Sequence, residues 1–246
     1  MVRSQGFDTH QVIGHPLTHV TRMTQWDVDE LIVIDISENA NSYEIFRDDQ
    51  KFKGAGDLLQ FIASVAETCA MPLAFGGNIR SVEDVHARIL NGADKITVNS
   101  MLVDAPAAVT EASRKFGAQA IVASIDYRMV EGEARTFTHL ARRDQKVDPA
   151  AWARRAEDLG VGEILLNAVD RDGTGRGYDI ETIARVAETV RVPVVACGGA
   201  GHQRHFKSCF DETKASGVAA GNIFHFTENA YPNIKRYLRT TRTDIR

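Results

Sequence analysis

The chain has 246 residues, of which 43% are hydrophobic and 25% charged, and its formal net charge is −4. That is enough apolar material for one sizeable core, and it excludes the broad basic field that binds nucleic acid. The first residues lack an apolar signal core and no apolar run is long enough to span a bilayer, so no membrane partner is expected. The three cysteines, Cys69, Cys197 and Cys209, form no CxxC pair; this predicts a reducing, cytoplasmic location and no disulfide framework.

A short apolar run at 31–36 ends near Asp35, and the polar stretch 39–56 follows it. The run 72–75 leads into Gly76-Gly77. Ser81, with Asp84 three residues on, signals the start of a helix over 82–91, and Asn91-Gly92 signals a left-handed close. The run 95–98 leads into Asn99-Ser100, helical spacing covers 105–116, and the run 120–125 ends at Asp126. Helical spacing returns at 149–159, and the run 163–169 opens into a loop containing Asp170, Asp172 and Gly173. A helix is expected over 180–190, a strand over 193–197 before Gly198-Gly199, and a strand over 218–221 before Asn222. Lys235, Arg236, Arg239, Arg242 and Arg246 suit the solvated face of a last helix.

Most of these apolar runs are continuous and β-branched, as strands buried on both faces should be. Their alternation with helices predicts a parallel sheet, and the absence of a linker predicts one α/β unit over 1–246 of (β/α)8 TIM-barrel type. Seven strands are legible. Gly76-Gly77 recurs as Gly198-Gly199 and Asn99 as Gly221, each about 122 positions later. A half-barrel repeat, roughly 1–115 and 116–246, is therefore expected, with the stretch 39–56 as extra residues in the first half.

Function in such a barrel sits at the C-terminal strand ends. Gly77 with Asn99 and Ser100, and Gly199 with Gly221, read either as tight turns or as two anion cradles for a twice-phosphorylated small substrate. On the second reading, a side chain added at Gly77 or Gly199 enters a cradle. Asp126 reads either as a partly desolvated general base or as a solvated loop or helix-capping aspartate. The loop around Asp172 and Gly173 reads as a segment able to close over substrate or as an exposed turn. At the opposite mouth Glu30, Lys95 and Glu163 start three strands, which suits an ion-pair cluster. The eight histidines form no metal-ligand spacing, and no metal or cofactor is expected.

With these residues in place, the chain resembles the cyclase subunit of imidazole glycerol phosphate synthase. The resemblance lies in Asp29-Glu30-Leu31 with Asp35, Asn91-Gly92-Ala93-Asp94-Lys95 with Asn99, Ile125-Asp126, Gly162-Glu163-Ile164, Asp170-Arg171-Asp172-Gly173-Thr174 with Gly177-Tyr178-Asp179, and Gly198-Gly199-Ala200-Gly201. It implies a lyase of histidine biosynthesis that takes ammonia from a glutaminase subunit and acts on a bisphosphorylated ribulosyl substrate. By the same resemblance Asp126 is catalytic. Gly77, Asn99, Ser100, Asp172, Gly173, Gly199 and Gly221 lie at or beside the substrate and phosphate positions, and Glu30, Lys95 and Glu163 are three of the four residues of an ammonia gate.

The sequence departs from that pattern at Asn78, where the motif has glycine, and at Asn167, Cys197 and Gly221, where hydroxyl residues are usual. These replacements also resemble paralogues from surface-polysaccharide clusters, which imply ammonia delivery to a sugar amidotransferase making acetamidino sugars. A barrel that only conducts ammonia is the non-catalytic alternative. The family's first strand, with a second catalytic Asp and the fourth gate residue, has no counterpart after Met1. A start about 15–20 residues upstream, enough for one strand and its turn, is expected, and translating the upstream frame tests it.

Overall fold

The computed structural model describes residues 1–5, 9–36, 58–242, 244 and 245; the expected insertion at 39–56 lies outside them. The chain opens with a hairpin of β1 (Val2–Gln5) and β2 (Thr9–Val12), then α1 (Pro16–Gln25) and β3 (Leu31–Ile34). Next come α2 (Leu58–Thr68), β4 (Leu73–Gly76), α3 (Val82–Leu90) and β5 (Lys95–Val98). They are followed by α4 (Met101–Asp104), α5 (Pro106–Phe116) and the long β6 (Ile121–Val130). After β7 (Glu133–Thr138) and β8 (Arg143–Asp144) the alternation resumes with α6 (Pro149–Asp158), β9 (Glu163–Ala168), α7 (Ile180–Thr189) and β10 (Val194–Cys197). It ends with α8 (Gln203–Glu212), β11 (Gly217–Val218), α9 (Asn222–Phe226) and α10 (Ala230–Thr241).

Seven strands pair in parallel in the order β11-β10-β9-β6-β5-β4-β3, so sheet order follows chain order. Each strand is joined to its neighbour through at least one helix, the winding of a (β/α)8 barrel. Helices from the two ends of the sheet come together: Arg22 of α1 donates to His225 of α9 at 3.2 Å, 203 residues away in sequence. The Tyr231 hydroxyl of α10 likewise donates to Asp29 at 2.7 Å. No helix among the described residues is long and apolar enough to cross a membrane.

Local signals explain most boundaries. Ser81 and Asp84 form a reciprocal capping box at α3, and Gly92 follows the helix with φ +105°. The interior residues of β4, β5, β6 and β9 are nearly all buried, as continuous apolar strands covered on both faces require. Two strand expectations change: β11 covers Gly217–Val218 and not 218–221, and β6 does not stop at Asp126. It continues to Val130, turns at Glu131 and Gly132, both with positive φ, and pairs antiparallel with β7. The basic tail also differs from a fully solvated face. Lys235 is largely buried and paired with Asp29 at 2.6 Å, and Arg242 reaches Asp211 at 3.0 Å. Arg246 lies outside the described residues.

Candidate functional site

Asp126, Asn167 and Cys197 stand level on the adjacent strands β6, β9 and β10. Level residues on neighbouring strands point the same way, so the three form one arc at the C-terminal mouth. The Asn167 amide donates to Asp126 Oδ1 at 3.0 Å. The Asn99 amide reaches Asp126 Oδ2 at 3.3 Å and Ser124 O at 3.0 Å. Both carboxylate oxygens of Asp126 are thus held by neutral donors.

Asp126 is only 6% exposed. Burial raises its pKa to about 6; the Asn167 hydrogen bond and Arg128 oppose that rise, and the Asp172 carboxylate adds to it. Asp172 is also raised to about 6 by burial, against the lowering effect of a hydrogen bond from the Gly173 backbone. Two carboxyl groups that titrate near neutrality can each hold or release a proton at working pH. Cys197 cannot serve as a nucleophile there: burial first, then the Asp172 charge, pushes its thiol up to about 12, so it stays protonated.

The expected residues do not all face the same space. A cavity of about 2200 Å³ is lined by Gly77, Asn99, Ser100, Asp126, Asp172 and Gly221 near the C-terminal mouth and by Glu30 and Glu163 at the other. Gly173 and Gly199 do not line it. A Cβ on Gly199 would lie 2.2 Å from Gly177 O, and one on Gly77 would lie 2.0 Å from Asp35 O. Both glycines have positive φ and let one loop press its backbone onto another. A side chain there would strike protein backbone; the expectation that it would enter an anion cradle is corrected. Gly221 differs, because a Cβ there meets nothing within 4 Å. Ser100 Oγ accepts the His139 amide at 3.2 Å.

Three positions that fix the mouth were given no role from sequence, although Asn78 stood out as a departure from the motif. Arg88 is 4% exposed and donates to Gly77 O at 3.3 Å and Asn78 O at 3.0 Å. Asn78, with φ +52°, turns its amide onto Asp35 Oδ2 at 2.9 Å. Tyr127 holds the start of α7 through Asp179. The loop after β9 is hydrogen-bonded to the elements on both sides of it. Asp170 accepts from the Met129 amide at 2.6 Å, and the Gly177 amide donates to Gly199 O at 2.7 Å.

At the opposite mouth the Lys95 ammonium donates to Glu163 at 2.7 Å and to Glu30 at 2.9 Å. Burial alone would lower the lysine pKa, but the two carboxylates outweigh it and leave it raised. The cluster expected from sequence therefore forms, as a cation between two anions. Among the described residues no group of His, Cys, Asp and Glu is arranged to hold a metal.

The family model described as histidine biosynthesis protein matches residues 1–230. The chain is 37% identical over 233 residues to a protein of Metallosphaera sedula named imidazole glycerol phosphate synthase subunit HisF, covering 95% of this chain and 88% of that protein. It is 35% identical over 246 residues to the protein of that name from Pyrobaculum aerophilum, covering 100% and 92%. A third, from Hydrogenobaculum, is 35% identical over 234 residues, covering 95% and 88%. The chain belongs to the histidine biosynthesis protein family.

Proposed function

We propose that this chain is a cyclase of the imidazole glycerol phosphate synthase type, using ammonia from a glutaminase subunit. Ammonia adds to a carbonyl of a bisphosphorylated ribulosyl substrate. Water leaves, the imidazole ring closes, and the substrate splits into imidazole glycerol phosphate and an aminoimidazole carboxamide ribotide. Addition, dehydration and ring closure each move protons, so the reaction needs groups that titrate near neutrality.

The observation that carries this reading is Asp126 itself. Its carboxyl is buried, held on both oxygens and raised to about 6, and it lines the same cavity as Glu30 and Glu163 of the opposite mouth. Asp126 takes a proton from the nitrogen or carbon that loses it and returns it to the leaving oxygen. Asp172 faces the same space with a similar pKa, contacts the substrate and keeps Asp126 partly protonated through its charge. One phosphate sits against Gly77, Asn99 and Ser100 and the other by Gly221. Gly173 and Gly199 shape the loops beside the second. This two-ended site follows from a repeat of half the barrel across 1–115 and 116–246.

Glu30, Lys95 and Glu163 form the ammonia gate, with the ammonium of Lys95 barring passage while both carboxylates hold it. The relatives' shared name favours this reading over an acetamidino-sugar paralogue or a passive ammonia conduit. It is tested by incubating the chain with an ammonium salt and the ribulosyl substrate. Release of imidazole glycerol phosphate supports it, and its absence with a well-folded protein rejects it.

A further inference from the structure

Asp179 sits at the N-cap of α7, where an aspartate ordinarily accepts hydrogen bonds from the first turn of the helix. Here its side chain makes no capping bond. It is 8% exposed and turns inward instead. Oδ2 accepts the Tyr127 hydroxyl at 3.1 Å, and Oδ1 lies 3.8 Å from the Arg171 guanidinium. A capping residue that gives up its cap has its carboxylate committed elsewhere. Arg171 also donates to Gly177 O and Tyr178 O, each at 3.2 Å, which ties the loop across its own base. Asp172 is the next residue along that loop.

Tyr127 follows Asp126 in β6, and successive strand residues face opposite ways. Its ring therefore lies on the far side of the strand from the mouth, 2% exposed, and reaches no substrate. Burial first, then the Asp179 charge, keeps the phenol protonated and so a permanent donor. We propose that Tyr127 is a positioning residue: through Asp179 and Arg171 it sets where Asp172 stands opposite Asp126. The path runs from the back of one barrel strand, through a helix start, to the front of the next loop. The proposal deepens the reading of Asp172 as substrate-facing and rests on it.

The test is Tyr127→Phe, which keeps the ring and removes the donor, with Asp179→Asn as a second variant. In the free protein, carbon NMR should show the Asp172 carboxyl of Tyr127→Phe titrating lower, toward the ordinary carboxylate range, as the loosened loop admits water. With ammonium as nitrogen source, kcat/KM should fall about tenfold, the order expected for a lost hydrogen bond to a charged group. In an Asp172→Asn background, the same Tyr127 change should cost little, because its effect passes through Asp172. An unmoved Asp172 titration in a folded Tyr127→Phe protein, or losses that add in the double variant, overturns the proposal. Absence of turnover in the unsubstituted protein counts against the cyclase reading alone, and the titration still decides this one.

Discussion

The Asn167 amide donates to Asp126 across the β6–β9 ladder at 3.0 Å, so this buried carboxyl is fixed by a neighbour whose own position is set by strand register. A neutral donor holds the group without supplying a positive charge, so burial still dominates and the pKa remains about 6. Asp126→Asn should keep the fold and lower turnover by roughly 10²–10⁴-fold, the loss typical of a positioned acid–base group. Near-normal turnover in a folded variant would remove Asp126 from the mechanism.

The same pKa has a consequence for stability. A carboxyl raised from its unfolded value of 3.8 to about 6 binds more protons folded than unfolded in that interval. Its contribution is most favourable below the unfolded pKa and is lost as pH rises through about 6. Above that range the buried charge should destabilise the fold by an amount on the order of a few kcal/mol. Asp126→Asn should therefore gain stability relative to the unsubstituted protein at pH 8 and lose that advantage at pH 4. Denaturant melts at both pH values check the sign, and an equal effect at both contradicts it.

Asp172 raises Asp126 by charge alone. In Asp172→Asn the acid limb of the kcat/KM profile should move to lower pH, because the repulsion between the two carboxylates is gone. A limb that stays in place would mean that Asp172 and Asp126 do not sense each other during the reaction.

The glycines divide into two kinds. Gly77→Ala and Gly199→Ala should each cost several kcal/mol of stability, because their Cβ positions coincide with the backbone at Asp35 and Gly177 and both sit at positive φ. Gly221→Val points into open space. It should fold normally and weaken binding of the bisphosphorylated substrate about tenfold or more, by blocking one anion position. Calorimetric titration measures the binding; unchanged affinity would place the second phosphate elsewhere.

Much of the frame was legible in the sequence. The runs that became β5 and β9 are continuous and apolar after a charged first residue, so the ring of Glu30, Lys95 and Glu163 could be placed at one mouth. Asp126 could be placed at the other because it ends such a run. The antiparallel extension of β6 was missed because its turn is Glu131-Gly132, not the usual Asn-Gly or Asp-Gly pair. The alternation of Glu133–Thr138 was not readable either, because its buried face is Ala134, Thr136 and Thr138 while Phe137 lies on the other face. The orientation of Gly77 and Gly199 was not legible. Positive φ and close backbone approach look alike in sequence whether the neighbour is a phosphate or another loop. Nor were the links from Arg88 to Gly77 or from Tyr127 to Asp179, since each joins residues that meet only when two elements pack.

Lys95 is the one cation between Glu30 and Glu163 in the described cluster. Lys95→Ala should uncouple glutamine hydrolysis from synthesis in the presence of a glutaminase subunit while changing ammonium-driven turnover less. Equal losses with both nitrogen sources would reduce the ring to a structural ion pair.

The most direct measurement is single-turnover synthesis by this chain alone, with an ammonium salt and the ribulosyl substrate, run in parallel for the unsubstituted protein and Asp126→Asn. The account predicts release of imidazole glycerol phosphate from the first and at least a hundredfold slower release from the second. No product from a well-folded unsubstituted chain, or equal rates from the two proteins, would contradict it.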